Sequence, residues 1–229
     1  MDQATTTALG GNGFSRSSLQ QRIYEQLRVA LIGGQYAPGQ ALSLRRIASA
    51  SGVSPMPVRE AVKRLISEGA IELLPNRTIA VPKLRRRDFV ELIGVRVMLE
   101  GYAAELAATR VDPKLILQLA TKNLQLIQAV FDGDMQVAMR MNQEFHFDLY
   151  RASRSDVLVP LVEALWTRMG PIIHITIGRP EVTWSANEHH AALHALEQGD
   201  AAAVQRAIET DIRSTAEELL SLDIFAADD

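Results

Sequence analysis

Residues 44–68 constrain the fold of this chain more than any other segment. Ser43 and Ser54 stand where helix N-caps are expected and Gly52 lies between them, so the segment predicts two short helices joined by a tight turn. The second helix carries one apolar stripe, formed by Val58, Ala61, Val62, Leu65 and Ile66. Its opposite face is polar and basic. This arrangement favours a helix-turn-helix, whose second helix enters the DNA major groove, over an ordinary helical hairpin with a solvated basic face.

A short hairpin is predicted directly after these two helices. Residues 71–74 and 78–81 are β-prone runs, and the turn formers from Pro75 to Arg77 separate them. Such a hairpin is the wing of a winged helix, and its basic tip suits a contact with phosphate or with the minor groove. Arg59 is the predicted bidentate contact with guanine. The predicted DNA contacts are Arg45, Arg46, Ser54, Met56, Arg59, Lys63 and Arg77.

Several strings in this region match a known domain: Gly52-Val53-Ser54, Pro57-Val58-Arg59-Glu60-Ala61-Val62, Leu65 and Glu68-Gly69, followed by the hairpin. Together they resemble the DNA-binding domain of GntR-family bacterial transcription regulators. The resemblance implies a winged helix-turn-helix domain, which we place at residues 18–83, acting on a pseudo-palindromic double-stranded DNA operator. Two departures imply that operator contacts differ from those of the best-known members. Pro55 stands where a basic residue is frequent, and Thr78 where glycine is frequent.

Charge divides the chain into two parts. Residues 1–87 hold 13 Lys and Arg against 5 Asp and Glu, a net charge of +8, whereas residues 88–229 hold 11 against 22, a net charge of −11. A basic first part on an acidic remainder predicts that only the first part meets a polyanion. Within that first part, residues 1–17 predict a disordered tail and residues 84–87 a short basic linker.

The length of 229 residues suits two domains, each with its own core. Cysteine is absent, which excludes a disulfide framework and any thiolate ligand or nucleophile. No apolar run approaches the ~18 residues of a membrane span, and residues 1–17 lack the apolar core of a signal peptide. We therefore expect a cytoplasmic protein without membrane association.

From residue 88 onward the pattern is helical, and we predict an all-α antiparallel bundle over residues 88–229. The predicted helices span 88–109, 113–131, 134–153, 156–177, 181–198 and 200–221. Three strings occur in this half: Arg96-Val97-Met98-Leu99-Glu100, Phe145-His146, and Glu188-His189 through Gly199-Asp200. In this order, behind a GntR-like domain, they resemble the FCD effector domain of the FadR-like branch of that family. The whole chain is therefore predicted to be mainly α.

The same resemblance implies a divalent metal ion inside the bundle, because members of that branch often bind one through one Asp and three His. The matching positions here are Asn142, His146, His189 and Asp211. The single carboxylate of this set is therefore Asp211, at its last position rather than its first. The neutral amide of Asn142 is expected to weaken metal binding. Zn, Ni or Mn is the expected ion. On residue patterning alone, each histidine fits a hydrogen-bonded core or surface residue better than a ligand.

Other polar residues of this half have two interpretations. Arg96 stands where the resemblance suggests an anion-facing side chain, which would bind a ligand carboxylate bidentately, and it fits a pair with Glu100 equally well. His190 and His194 form an i, i+4 pair that lacks the Glu of an HExxH motif, so we interpret it as solvated or facing a dimer partner. His174 is interpreted as an interior imidazole with its hydrogen bonds satisfied.

We expect a homodimeric DNA-binding transcription regulator that a small carboxylate metabolite controls. Two copies are expected because one winged helix contacts only a few base pairs. Two alternatives stay open: a regulator whose effector is the metal ion itself, and a metal-dependent enzyme with an accessory DNA-binding domain. Against the enzyme, no nucleophile or general-base pair accompanies the predicted ligands.

Overall fold

The computed structural model describes residues 16–177 and 186–227 of the chain. Its first part consists of α1 (Arg16–Ile32), β1 (Ala41–Leu42), α2 (Leu44–Ala50), α3 (Pro55–Ser67), β2 (Glu72–Leu73) and β3 (Ile79–Ala80). Its second part consists of α4 (Arg86–Ala108), α5 (Pro113–Phe131), α6 (Met135–Ala152), α7 (Leu158–Ile177), α8 (Asn187–Gln198) and α9 (Ala201–Leu220). The predicted mainly α class, a winged helix-turn-helix followed by a helical bundle, is confirmed.

The predicted helix-turn-helix forms as the local sequence directs. The Ser43 Oγ accepts a hydrogen bond from the Arg46 N–H at 3.4 Å and so caps α2. Gly52 turns the chain with a φ of +64°, a conformation that glycine adopts without strain. Ser54 has the N-cap backbone of α3, but within the described part its side chain makes no capping hydrogen bond. Pro55 begins α3, where a missing N–H costs little.

The winged helix has its own core, in which α1 packs against α3. Leu31, Val58 and Leu65 are fully buried there. At the rim, the Tyr24 hydroxyl donates to the Glu68 carboxylate at 2.9 Å, and the Arg64 guanidinium lies 3.7 Å from the Tyr24 ring centroid. These contacts attach the C-terminal end of α3 to α1, so the predicted DNA-contacting helix has a fixed orientation on its support.

The sheet has the order β1-β3-β2, and both pairings are antiparallel. Leu42 and Leu73 both pair with Ile79 in the register. The wing was predicted at 71–74 and 78–81, and its regular strands are shorter than that. The third strand, β1, was not predicted, because two residues are too few to show an alternating pattern.

The breaks predicted between the bundle helices lie close to the observed ones. Helix α4 begins at Arg86, two residues early, because Arg85 takes the N-cap position and its Nε donates to the Asp88 carboxylate at 2.7 Å. Helix α7 begins two residues late, at Leu158, whose N–H donates to the Ser155 Oγ at 3.1 Å. The predicted helix 181–198 is seen as α8, and its first residues, like residues 1–15 of the predicted tail, lie outside the described residues.

The two parts of the chain pack directly on each other through α1 and α7. A Cβ on Gly170 would lie 2.5 Å from the Ile32 Cα, so only glycine permits this approach. Ile32 is 3% exposed and belongs to the hydrophobic core of the bundle. An ion pair between Arg28 and Glu163 lies at the edge of the same contact. Within the described residues, no helix is both long and apolar enough to cross a lipid bilayer.

Candidate DNA-binding surface and metal centre

The side chains predicted to contact DNA are all exposed. They lie at the start of α2, on the outer face of α3 and at the wing tip: Arg45, Arg46, Ser54, Met56, Arg59, Lys63 and Arg77. Met56, the apolar member of the set, is 61% exposed. Lys63 Nζ lies 2.8 Å from Glu60 Oε1 within the same helix, so its charge is partly compensated. Their contact with DNA stays a prediction.

The wing tip holds a strained arginine. The Arg77 N–H donates to the Leu74 carbonyl at 2.8 Å, and the Thr78 N–H donates to the Asn76 Oδ1 at 2.9 Å. Arg77 has a φ of +63°, in the left-handed region where glycine is favoured. The left-handed position of the turn is therefore residue 77. It lies one residue before Thr78, the position where the family resemblance places glycine. A charged residue in this conformation motivates the hypothesis that the wing tip has a function.

Three of the four predicted metal ligands converge inside the bundle. His146 comes from α6, His189 from α8 and Asp211 from α9, and their candidate ligand atoms lie within 4.8 Å of one another. The two Nε2 atoms are 3.2 Å apart, the His146 Nε2 is 3.4 Å from the Asp211 Oδ2, and the His189 Nε2 is 3.8 Å from the Oδ1. Tetrahedral zinc, with bonds of about 2.0–2.1 Å, places its ligand atoms about 3.3 Å apart. The donor set fits such an ion.

Burial and neighbouring charges shift the pKa values of two candidate ligands, His189 and Asp211. Burial lowers the pKa of His189 to about 4, with the nearby Asp211 carboxylate opposing part of that effect. Burial by itself raises the pKa of Asp211, but the adjacent His146 and His189 imidazoles and the Arg96 guanidinium outweigh it, so the net shift is downward. Near neutral pH the site therefore holds a carboxylate and a neutral His189, the protonation states that a metal requires.

Asn142, the fourth predicted ligand, lies on α6 one helical turn before His146 and is 9% exposed. Its position on the buried face of α6 is consistent with the predicted set, and its coordination stays a prediction. His190 and His194 are both exposed, which agrees with either interpretation of the pair, solvated or facing a dimer partner. His194 borders a surface groove of about 530 Å³ between α8 and α9. The side chain of His174 lies outside the described part.

Beside these ligands lies a buried carboxylate that our sequence analysis considered only as a partner of Arg96. Glu100 is fully buried and accepts the Arg96 Nε–H at 2.6 Å and the Nη2–H at 3.2 Å. Its Oε2 also accepts from the Tyr150 hydroxyl at 2.7 Å and from the Trp166 Nε1–H at 2.8 Å. The interpretation of Arg96 as the ion-pair partner of Glu100 is confirmed. Its contact with an effector stays a prediction.

The Nδ1 atoms of both histidines also have partners. The His146 Nδ1 lies 3.1 Å from the Tyr150 hydroxyl, and the His189 Nδ1 lies 3.0 Å from the Asn123 Oδ1. Sequence analysis missed Tyr150, Trp166 and Asn123. Tyr150 is an i+4 neighbour of His146, which offered a local signal, but Trp166 and Asn123 each contact a residue 66 positions away. Only the packing of the helices brings those two into the site.

Helix α7 connects this polar network with the winged helix. Trp166 donates to Glu100 on one side of α7, and Glu163 and Gly170 contact α1. Helix α1 in turn packs on α3, the predicted DNA-contacting helix. The candidate metal centre and the predicted DNA surface are therefore joined by an unbroken series of packed elements.

Comparison with known proteins assigns both parts of the chain. Residues 19–81 match the family model of bacterial regulatory proteins of the gntR family, and residues 91–214 match the FCD domain model. The second match alone covers more than half of the chain, and the two ranges correspond to the winged helix and to the bundle.

Individual relatives agree with these matches. The HTH-type transcriptional regulator McbR of Escherichia coli (strain K12) is 32% identical over 186 residues, which cover 80% of this chain and 84% of that protein. The solved structure of E. coli McbR/YncC superposes with a TM-score of 0.81 at 28% identity, covering 89% of this chain and 98% of that one. A putative GntR regulator from Rhodococcus sp. RHA1 shares the fold, with a TM-score of 0.71 at 23% identity and coverages of 89% and 98%.

Proposed function

Since this chain belongs to the gntR family of bacterial regulatory proteins and carries its FCD domain, we propose that a divalent metal ion and a small carboxylate metabolite control its affinity for operator DNA. The family and the relatives are transcription regulators and not enzymes, so DNA-binding transcription regulation is its function. The metal, the metabolite, the homodimer and the cytoplasmic location belong to the proposal.

One observation carries the metal part of the proposal. Two imidazole Nε2 atoms and a carboxylate meet within 4.8 Å, where His146 is 2% exposed and His189 is not exposed at all. Three lone-pair donors so close together, and away from water, repel one another unless a cation or a proton lies between them. Imidazole ligands suit Zn and Ni, and the carboxylate also accommodates Mn.

The net charge of the site supports the proposal that a carboxylate metabolite binds there. Arg96 and Glu100 cancel each other in their buried ion pair, so the Asp211 carboxylate leaves the site with a net charge of −1. A divalent ion would reverse that charge to +1 and would supply a Lewis-acid anchor for a carboxylate. The Arg96 guanidinium has five N–H donors, two of which bind Glu100, so it is our proposed second contact for the anion. Carboxylate binding should therefore depend on the metal.

DNA binding is proposed to involve α3 in the major groove, with Arg59 contacting a base and the other predicted side chains contacting the backbone. We propose a homodimer, because two winged helices on a pseudo-palindrome give the specificity that one lacks. Helix α4 carries an exposed apolar stripe, and we propose that a second copy of the chain covers it. It contains Val95, Met98 and Tyr102, which are 38%, 64% and 50% exposed.

The dimer proposal is tested by light scattering of the full chain. Met98→Glu should shift the protein from a dimer to a monomer, because it places charge in the centre of the apolar stripe. Leu124→Glu, an equally exposed position on α5, is the matched control and should leave the dimer intact. A monomeric wild type, or a dimer unaffected by Met98→Glu, would contradict the proposal.

The metal and metabolite are tested on the purified chain. Metal analysis should find about one ion per chain in the wild type and none in the double variant His146→Ala/His189→Ala. Operator titrations with a panel of small carboxylates should show a response in the wild type that the double variant lacks, while its operator affinity itself persists. His194→Ala, which removes an exposed histidine of α8, is the control. Undiminished metal content or an intact response in the double variant would refute the site.

A second candidate function is a metal sensor, in which the ion alone is the effector. The burial of His146 and His189 favours it, because buried ligands leave little room for a metabolite beside the ion. Operator titration with zinc alone decides between the two. A full response to zinc without any carboxylate would establish the sensor, whereas a response that needs both would support the metabolite-controlled regulator.

A further inference from the structure

We propose that Asn123 and Tyr150 are positioning residues of the metal centre, each accepting the Nδ1 proton of one histidine. Held in this way, both imidazoles turn their Nε2 lone pairs toward Asp211. This inference rests on the proposed metal site, and it concerns residues whose side chains would not touch the ion.

Tyr150 determines the tautomer of His146. The Tyr150 hydroxyl has one proton, and that proton is donated to the Glu100 carboxylate at 2.7 Å. At 3.1 Å the hydroxyl oxygen can therefore only accept from the His146 Nδ1–H. The neutral His146 imidazole then carries its lone pair on Nε2. Arg96 and Trp166 hold the Glu100 carboxylate in place, so the whole buried network supports one orientation of one ligand.

Asn123 performs the same task for His189. It is 1% exposed, and its Oδ1, which can only accept, lies 3.0 Å from the His189 Nδ1. Phe145 stacks on the His189 ring at 4.1 Å between centroids, with an interplanar angle of 13°, and limits its rotation. The imidazole is thus held at one edge and on one face.

The other end of the Asn123 amide gives independent support. Its Nδ2 is buried and has no hydrogen-bond partner within the described part of the chain. A buried amide that satisfies only one of its two polar ends costs stability relative to an apolar residue of similar size. Its contact with His189 explains why such a residue occupies the interior of α5. Asn123 is therefore present to orient the metal ligand His189 and not to fill the core.

The test measures zinc affinity of the full-length, metal-free protein by competition with a chromophoric chelator. Asn123→Leu and Tyr150→Phe should each lower the affinity by about 10–100-fold, as loss of an outer-shell partner does in other metal sites. Asn123→Asp should restore wild-type affinity or exceed it, because a carboxylate accepts the same Nδ1 proton. Matched controls are Gln125→Leu, on the exposed face of α5, and Tyr36→Phe, in the winged helix.

The visible absorption spectrum of bound Co²⁺ supplies a readout that a purely structural role would not change. Its bands should shift in Asn123→Leu and Tyr150→Phe, should recover in Asn123→Asp, and should stay constant in both controls, while circular dichroism confirms that all variants fold. Wild-type affinity and spectrum in Asn123→Leu and Tyr150→Phe, or no recovery in Asn123→Asp, would overturn the inference. A wild type that binds neither zinc nor cobalt would instead refute the metal site itself, and the inference with it.

Discussion

The Arg28 Nη1 lies 2.6 Å from the Glu163 Oε2, in an ion pair that joins the first helix of the winged helix to α7 of the bundle. The two side chains are only 19% and 17% exposed, so solvent screens the pair less than a surface pair. Each partner has a second contact, Arg28 with Glu25 at 2.7 Å and Glu163 with Arg151 at 3.7 Å. The pair therefore helps to set the angle between the two parts of the molecule.

Removing the charge of Glu163 should loosen this contact. We expect Glu163→Gln to lower the free energy of unfolding by about 1 kcal/mol, and to reduce the effect of bound zinc on operator affinity more than it reduces operator affinity itself. Chemical denaturation and operator titration measure the two effects. Glu144→Gln, which affects a more exposed pair with Lys122, is the control. If both variants reduced the effect of zinc on operator affinity equally, the Arg28 contact would have no specific role in that effect.

Arg59 and Lys63 should differ in how they affect DNA binding. Arg59→Ala should weaken operator binding by about 1–3 kcal/mol and leave non-specific binding nearly unchanged, because a bidentate base contact is lost. Lys63→Ala should weaken both and reduce the slope of log affinity against log salt by about one, since it removes a phosphate contact. Fluorescence anisotropy with operator and scrambled duplexes separates them. Unaltered operator affinity in Arg59→Ala would show that Arg59 does not contact the operator.

Arg77→Gly should separate stability from DNA binding at the wing tip. Glycine adopts a φ of +63° without strain, so the free energy of unfolding should hold or rise by about 1 kcal/mol. DNA affinity should nevertheless fall, with a smaller salt dependence, because a cation is lost. The same measurements on Arg77→Lys, which keeps the charge and the strain, provide the control. Full DNA affinity in Arg77→Gly would show that the wing tip does not contact the duplex.

Moving the carboxylate tests the predicted ligand set. Asn142→Asp should tighten zinc binding, because it adds an anionic oxygen one helical turn from His146. Asp211→Asn should weaken zinc binding by at least 10-fold, because it removes the carboxylate that faces both Nε2 atoms. Isothermal titration with zinc on metal-free protein gives the affinities. If Asn142→Asp binds zinc as the wild type does, position 142 is not a ligand.

Acid should destabilise the metal-free protein through His189. Its folded pKa of about 4 lies below the unfolded value of about 6.5, so this contribution is fully present above pH ~6.5 and is lost as the pH falls toward 4. The slope is at most about 1.4 kcal/mol per pH unit, which amounts to roughly 2–3 kcal/mol over the window. Chemical denaturation between pH 7 and 4 should show a shallower slope in His189→Gln than in the wild type, with the exposed His194→Gln as control. Parallel slopes would contradict this assignment.

Local signals in the sequence predicted the helix-turn-helix well. Caps, a glycine turn and an apolar stripe act within a few residues, so Ser43, Gly52 and Val58 have the predicted structural roles. The breaks between bundle helices followed for the same reason. The two-residue strand β1 had no pattern to detect, and no local pattern showed that α4 turns Met98 outward, where it is 64% exposed.

The candidate metal site was only partly accessible from the sequence. The family resemblance supplied His146, His189 and Asp211, which the fold brings together from three helices. The residues that orient them depend on packing between distant segments. Asn123 lies 66 residues from His189, and no spacing rule connects the two. Such partners emerge only when helix positions and rotations are known.

Ile32 lies at the end of α1, yet it is buried in the core of the bundle beside Gly170 of α7. The structural boundary between the two parts therefore differs from the boundary along the chain. A fragment cut in the segment before α4 would expose Ile32 on one product and leave an apolar gap at Gly170 on the other. Each half thus completes part of the other's interior, and we expect the two to unfold together rather than as two domains on a tether.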